Sequence, residues 1–350
     1  MEAVVIGIVV CSLPLVLLGL VAGWRWRLAA ALTIAVGGLS AGVAFGVLGF
    51  SDLWIVPMGV GMSDSLLLIL LWCIFGAIAR TAGPLSIPGP PWLVAMVMGA
   101  TIGEVPAAAI LSASARTPKG AARLALAAAG GGMVGRVGDP ALLVLAEGHP
   151  MVVACLAPLG VLCALLVRPG REDVVAPQAG NSARTRLVAV VALVACVPGL
   201  TPWALLVGAV GLGVMTGDRR GHVDLVTPTW QLVAVLMALL AIVGGLAEQI
   251  ATGLERIAEL AGWMGPPALT AVAAVGAALS DSTAIAVLGD GVLDRAASLQ
   301  SVELRTALAA GVAVGGLAPL IAAGSVRSGL RLWLAQIVLA IVWVGVWTCV

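Results

Sequence analysis

Charge is scarce in this chain: Asp, Glu, Lys and Arg make up ten per cent of its 350 residues, against about 25 per cent in an ordinary soluble domain. Lysine is nearly missing, Lys119 being the only one. No glycine-rich loop ending in Gly-Lys-Ser/Thr can therefore cradle a nucleotide, and ATP-driven chemistry has no site. No basic run and no interleaving of basic with aromatic residues occurs, so a nucleic-acid partner is not expected. The two histidines, His149 and His222, have no companion at metal-ligand spacing. The six cysteines (Cys11, Cys73, Cys155, Cys163, Cys196 and Cys349) sit in apolar stretches without paired spacing, and read as small buried hydrophobes with neither disulfide nor metal. A Gly-x-Gly-Asp motif of an intramembrane aspartyl protease is also missing: Arg136 lies two before Gly138, and Val287 two before Gly289. No enzymatic chemistry and no cofactor are expected.

What is there is apolar sequence. Sixty-one per cent of the residues are hydrophobic, more than a soluble core needs, so the fold class is an all-α polytopic membrane protein. A span takes about 20 apolar residues. On that rule Ala3–Val21, Leu28–Gly49 and Ile55–Ala79 cross. Met1-Glu2 lacks a basic leader region, so the first run reads as a retained span. From Pro91 to Ile102 and from Ala107 to Ala115 the apolar arms are too short to cross, and they flank Gly103-Glu104-Val105-Pro106. Such a pair predicts a re-entrant hairpin near 91–115.

The stretch Gly130-Gly131-Gly132-Met133-Val134-Gly135-Arg136-Val137-Gly138-Asp139-Pro140 is too poor in helix propensity for an ordinary span, each glycine costing about 1 kcal/mol and proline about 3. It predicts a broken helix over 124–148, lining a site. Met151–Val167 returns, and the polar linker 168–186 separates the halves 1–167 and 187–350. The pattern then restarts: Leu187–Leu200, Trp203–Met215, Trp230–Ile250, a second hairpin near 267–292 around Ser280-Asp281-Ser282-Thr283, a second broken helix over 306–327 through Gly315-Gly316, and a last span from Leu332 to Thr348.

Five crossings and one hairpin per half make the second half insert upside down. The charges agree with this independently. Arg80, Arg116, Lys119 and Arg123 flank the first hairpin, as an inside surface should, whereas acids outnumber bases around the second. Two inverted-topology repeats, each with a re-entrant hairpin and a broken helix, are thus expected. Trp24, Trp26, Trp54, Trp92, Trp203, Trp230, Trp263 and Trp333 fall near predicted segment ends, where indoles favour the interface.

Gly131-Gly132 followed by Gly138-Asp139-Pro140, Gly315-Gly316 with Ile321, and the polar tip Ser280-Asp281-Ser282-Thr283 together resemble the ion transporter superfamily of arsenite permeases, sodium/proton antiporters and sodium-coupled dicarboxylate symporters. The family's asparagines have no counterpart, because Asn181 is the only one in the chain. Either Ala322-Ala323 or Gly324-Ser325 would fill the second motif. The resemblance implies a site where hairpin tips and helix breaks meet, and nominates Glu104, Gly131, Gly132, Gly138, Asp139, Asp281, Ser282, Thr283, Gly315 and Gly316 for substrate and coupling ion.

A carboxylate placed in hydrocarbon costs about 2.5 to 3.5 kcal/mol even on the lenient insertion scale, and a cation, a proton or exposed helix N–H groups must offset this for Glu104 and Asp281. Capping by Asp281, an ion pair between Asp139 and Arg136, and helix packing by the glycines are the structural counter-readings. Acids at both tips repel a dicarboxylate. The expected function is therefore a proton- or sodium-coupled exporter of a small inorganic ion or oxyacid in the cell (inner) membrane, as a monomer or a homodimer. A sodium-coupled dicarboxylate or sulfate symporter and a non-transporting membrane scaffold are the alternatives.

Overall fold

The computed structural model describes residues 89–135, 139–146, 149–175, 182–195, 200–216, 251–279 and 302–349, with single positions between them (71, 74, 75, 78, 85, 87, 197, 282, 285, 286, 289, 290 and 293). The spans expected over 3–49 and 230–250 and most of 55–79 lie outside the described residues, as do Arg136, Gly138, Asp281 and Thr283. The described residues are helical throughout apart from turns and one isolated bridge between Ala115 and Val174. Among the described residues, three helical stretches are long and apolar enough to cross a membrane: Pro150–Val167, Val302–Ala322 and Val326–Trp347.

Helix α1 (Pro91–Ile102) starts on a proline, whose fixed φ suits a first turn, and stops at Gly103 with φ 93°, a conformation that favours glycine. Helix α2 (Glu104–Ser112) follows at once. At 1.5 Å per residue these arms are about 18 and 14 Å long, well under the roughly 30 Å of a hydrocarbon core. Their outer ends meet. The Leu85 N–H donates to Ser114 Oγ at 2.8 Å and the same hydroxyl donates to the Leu85 carbonyl at 3.4 Å. Chain ends that share a hydrogen-bonded clamp make α1 and α2 a helical hairpin. A short strap seals its base, with the Arg116 N–H donating to the Asp173 carbonyl, the Val175 N–H to the Ser114 carbonyl, and Arg123 Nη1 paired with Asp173 Oδ2 at 3.0 Å.

Helix α3 (Pro118–Val134) is capped by Thr117, whose hydroxyl accepts from the Gly120 N–H. It runs straight through Gly130, Gly131 and Gly132, which the sequence alone suggested would open the break. The break starts at Gly135 instead. The reason is packing. A Cβ on Gly131 would land on the Met96 carbonyl oxygen, one on Gly135 on that of Ala100, and one on Gly130 would lie 2.6 Å from that of Gly160. The helix propensity forfeited at each glycine is offset by the close backbone approach that only a missing side chain allows.

After the break come α4 (Pro140–Leu145) and α5 (Pro150–Val167), then α6 (Ser182–Ala195) and α7 (Thr201–Thr216), which pack on each other. Helix α8 (Ala251–Leu279) bends at Gly265, φ 74°, ahead of Pro266 and Pro267. Its second part is the arm expected from Pro267. Helix α9 (Val302–Gly315), the short α10 (Ala318–Ala322) and α11 (Val326–Trp347) complete the chain. Because α11 starts at Val326 and not at Leu332, Trp333 lies inside it and is buried, while Trp203 and Trp263 are exposed near segment ends as expected.

Two sets of contacts fix directions. On α9, Gly311 and Gly315 abut the carbonyls of Thr270 and Ala274 on α8, as Gly131 and Gly135 on α3 abut those of Met96 and Ala100 on α1. Helix α11 meets Ala122 of α3 through Gly329, and Gln336 Nε2 donates to the carbonyls of Leu126 (3.4 Å) and Cys163 (3.2 Å). Trp343 Nε1 donates to the Cys155 carbonyl at 3.1 Å. Thus α11 is parallel to α3 and antiparallel to α5. Since α9 and α10 lead into the start of α11, α9 descends toward the end from which α3 rises.

Candidate functional site

The first break meets the first hairpin. Gly135 lies against Ala100, one turn before the hairpin tip, so Gly103 and Glu104 come alongside the break between α3 and α4. Glu104 is the first residue of α2 and only 4 % exposed. Its carboxylate stands where the partial positive charge of the helix start favours an anion. Asp139 is 1 % exposed and is the N-cap of α4, its Oδ1 accepting from the Ala141 N–H at 2.9 Å. Two buried acids therefore sit at helix starts beside one break. Part of the charge of Asp139 is used in holding α4.

The second break meets Ser282. A Cβ on Gly316 would lie 3.5 Å from Ser282 Cβ and 3.6 Å from Ser282 Oγ, and Ser282 is 7 % exposed. Farther down α9, Gly289 abuts Leu308 and Asp290 Oδ1 pairs with Arg305 Nη1, so the described positions 282, 289 and 290 follow one another antiparallel to α9. Helix α4 packs against α9, and α10 packs against α2 and α3.

Of the residues nominated from the sequence, Glu104 and Asp139 come to the first break, and Ser282 and Gly316 come together at the second. Gly315 is the last residue of α9 and abuts Ala274. Gly131 and Gly132 lie one turn inside α3, where Gly131 serves packing. Among the described residues no three His, Cys, Asp or Glu side chains come together.

Two roles escaped the sequence reading. Asp290 and Arg305, which belong to the charges around the second expected hairpin, pair with each other and tie position 290 to α9. Gln336, which bridges α3 and α5, had a signal available: it is the only amide or charged residue between Leu332 and Trp347, and polar side chains inside spans commonly join helices. Neither a family model nor a curated protein matches the chain.

Proposed function

We propose that the chain is a secondary transporter of the cell (inner) membrane, coupled to protons or sodium, that exports a small inorganic cation or a neutral oxyacid of the arsenite kind by alternating access. Two inverted repeats, 1–167 and 187–350, build it. The reciprocal packing supports this reading: α3 on α1 mirrors α9 on α8, α4 on α9 mirrors α10 on α3, and α3 rises where α9 descends. Broken helices in matching positions of two halves are the usual pointer to a transport site. The observation that carries the chemistry is the pair of buried carboxylates, Glu104 and Asp139, at one break. Buried acids exchange protons or bind cations in exchange for the desolvation they suffer.

An anionic cargo fits this site less well. The N–H groups that an anion would use at the start of α4 already face Asp139, which caps that helix. The sequence holds no glycine-rich loop ending in Gly-Lys-Ser/Thr, which leaves the driving force to an ion gradient. In proteoliposomes carrying a pH-sensitive dye, addition of sodium, potassium or arsenite is expected to start a proton flux, and Glu104→Gln to reduce it at least tenfold while the protein still reconstitutes. Flux driven only by a dicarboxylate or sulfate would favour the symporter. No flux with any addition would sink proton coupling and leave a sodium symporter or a scaffold.

A further inference from the structure

At one end of the molecule, α3 and α11 both begin, brought side by side by Gly329 against Ala122. Four cations there are exposed: Arg116, Lys119, Arg327 and Arg331. None of the four is in an ion pair among the described residues, where Arg123–Asp173 and Arg305–Asp290 are the two pairs. Arg327 and Arg331 are four residues apart and so share one face of α11. The same face continues as an exposed apolar stripe through Leu330, Leu334, Val338 and Val342.

No side chain caps α11: Ser325, at its N-cap position, is 3 % exposed, and its hydroxyl has no hydrogen-bond partner. The first N–H groups of a 22-residue helix are thus without a side-chain acceptor.

We infer that this face of α11 is a binding site for one anionic phospholipid. The phosphate lies between Arg327 and Arg331 at the helix start, and an acyl chain runs along Leu330, Leu334 and Val338. Charge complementarity selects the headgroup: two unneutralised guanidinium groups and the positive end of a helix dipole favour a phosphate that carries net negative charge over a zwitterionic one. The apolar stripe selects a lipid over free phosphate, because a soluble ion gains nothing from it. The inference needs α11 to cross the membrane and is independent of transport.

The test is thermal unfolding of the full chain in detergent micelles doped with phosphatidylglycerol, with phosphatidylcholine, or with inorganic phosphate and no lipid. Phosphatidylglycerol is expected to raise the melting temperature of the wild type over phosphatidylcholine, and the double variant Arg327→Gln/Arg331→Gln to lose that difference. The variant should melt with the wild type in phosphatidylcholine, showing that it folds. Arg116→Gln/Lys119→Gln should keep most of the difference. Loss of the effect in this second pair to the same extent would reveal a diffuse basic surface and overturn the site. An equal rise with inorganic phosphate alone, or an unchanged rise in Arg327→Gln/Arg331→Gln, would overturn it as well.

Discussion

Gly131→Ala is expected to destabilise the protein by about 3 kcal/mol or more, at the upper end of what overpacking costs. The added methyl would coincide with the Met96 carbonyl oxygen. A backbone oxygen cannot swing aside as a side-chain tip can, so α1 must move off α3 along its length. That displacement also takes Ala100 away from Gly135 and shifts the hairpin tip from the break. Thermal unfolding in detergent should register a fall of about 4 °C or more for a chain of this length. Gly311→Ala, which meets the Thr270 carbonyl of α8, should behave alike. Gly213→Ala in α7 is the control, since nothing lies within 4 Å of its added methyl, and alanine is the better helix former by about 1 kcal/mol. A Gly131→Ala protein as stable as the Gly213→Ala protein would mean that the two helices are not in backbone contact.

Substitutions of Asp139 are expected to separate its two duties. Asp139→Asn keeps an oxygen that accepts from the Ala141 N–H and removes the charge. Asp139→Ala removes both, and loss of the cap should cost about 1 kcal/mol, rising to about 3 if the buried N–H is left unsatisfied. The alanine variant should melt lower than wild type while the asparagine variant melts near it. Flux should fall at least tenfold in both. An asparagine variant with wild-type flux would reduce Asp139 to a structural cap and leave the ion chemistry to Glu104 alone.

The two short helices α1 and α2 and the turn at Gly103 between them were legible in the sequence because their signals are local. Two arms too short to cross, a glycine between them and a proline at the start set that turn without tertiary help. Asp139 before Pro140 likewise reads as a helix start, and the structure uses it as one. The glycines were harder. Gly130–Gly132 and Gly135 are the same residue type in one run, yet the first three are helical and the last ends the helix. Local propensity cannot tell them apart, because the neighbouring carbonyls of Met96 and Gly160 come from elsewhere in the chain. The partners of Gln336 and Arg305 were hidden for the same reason, since a contact between α11 and α3 spans 210 residues of sequence separation. Of the acids nominated at the two tips, Glu104 is buried and Asp281 lies outside the described residues.

Alternating access makes the most direct demand on the site: a residue at the second break must be reachable from each side of the membrane in turn. Ser282→Cys in a background without the six native cysteines places a thiol beside Gly316 with little change in size. A membrane-impermeant thiol reagent should label it from either face of oriented vesicles, and the transported ion should slow both reactions. Labelling from one face only, at a rate no ion alters, would contradict a transporter and leave a fixed membrane scaffold.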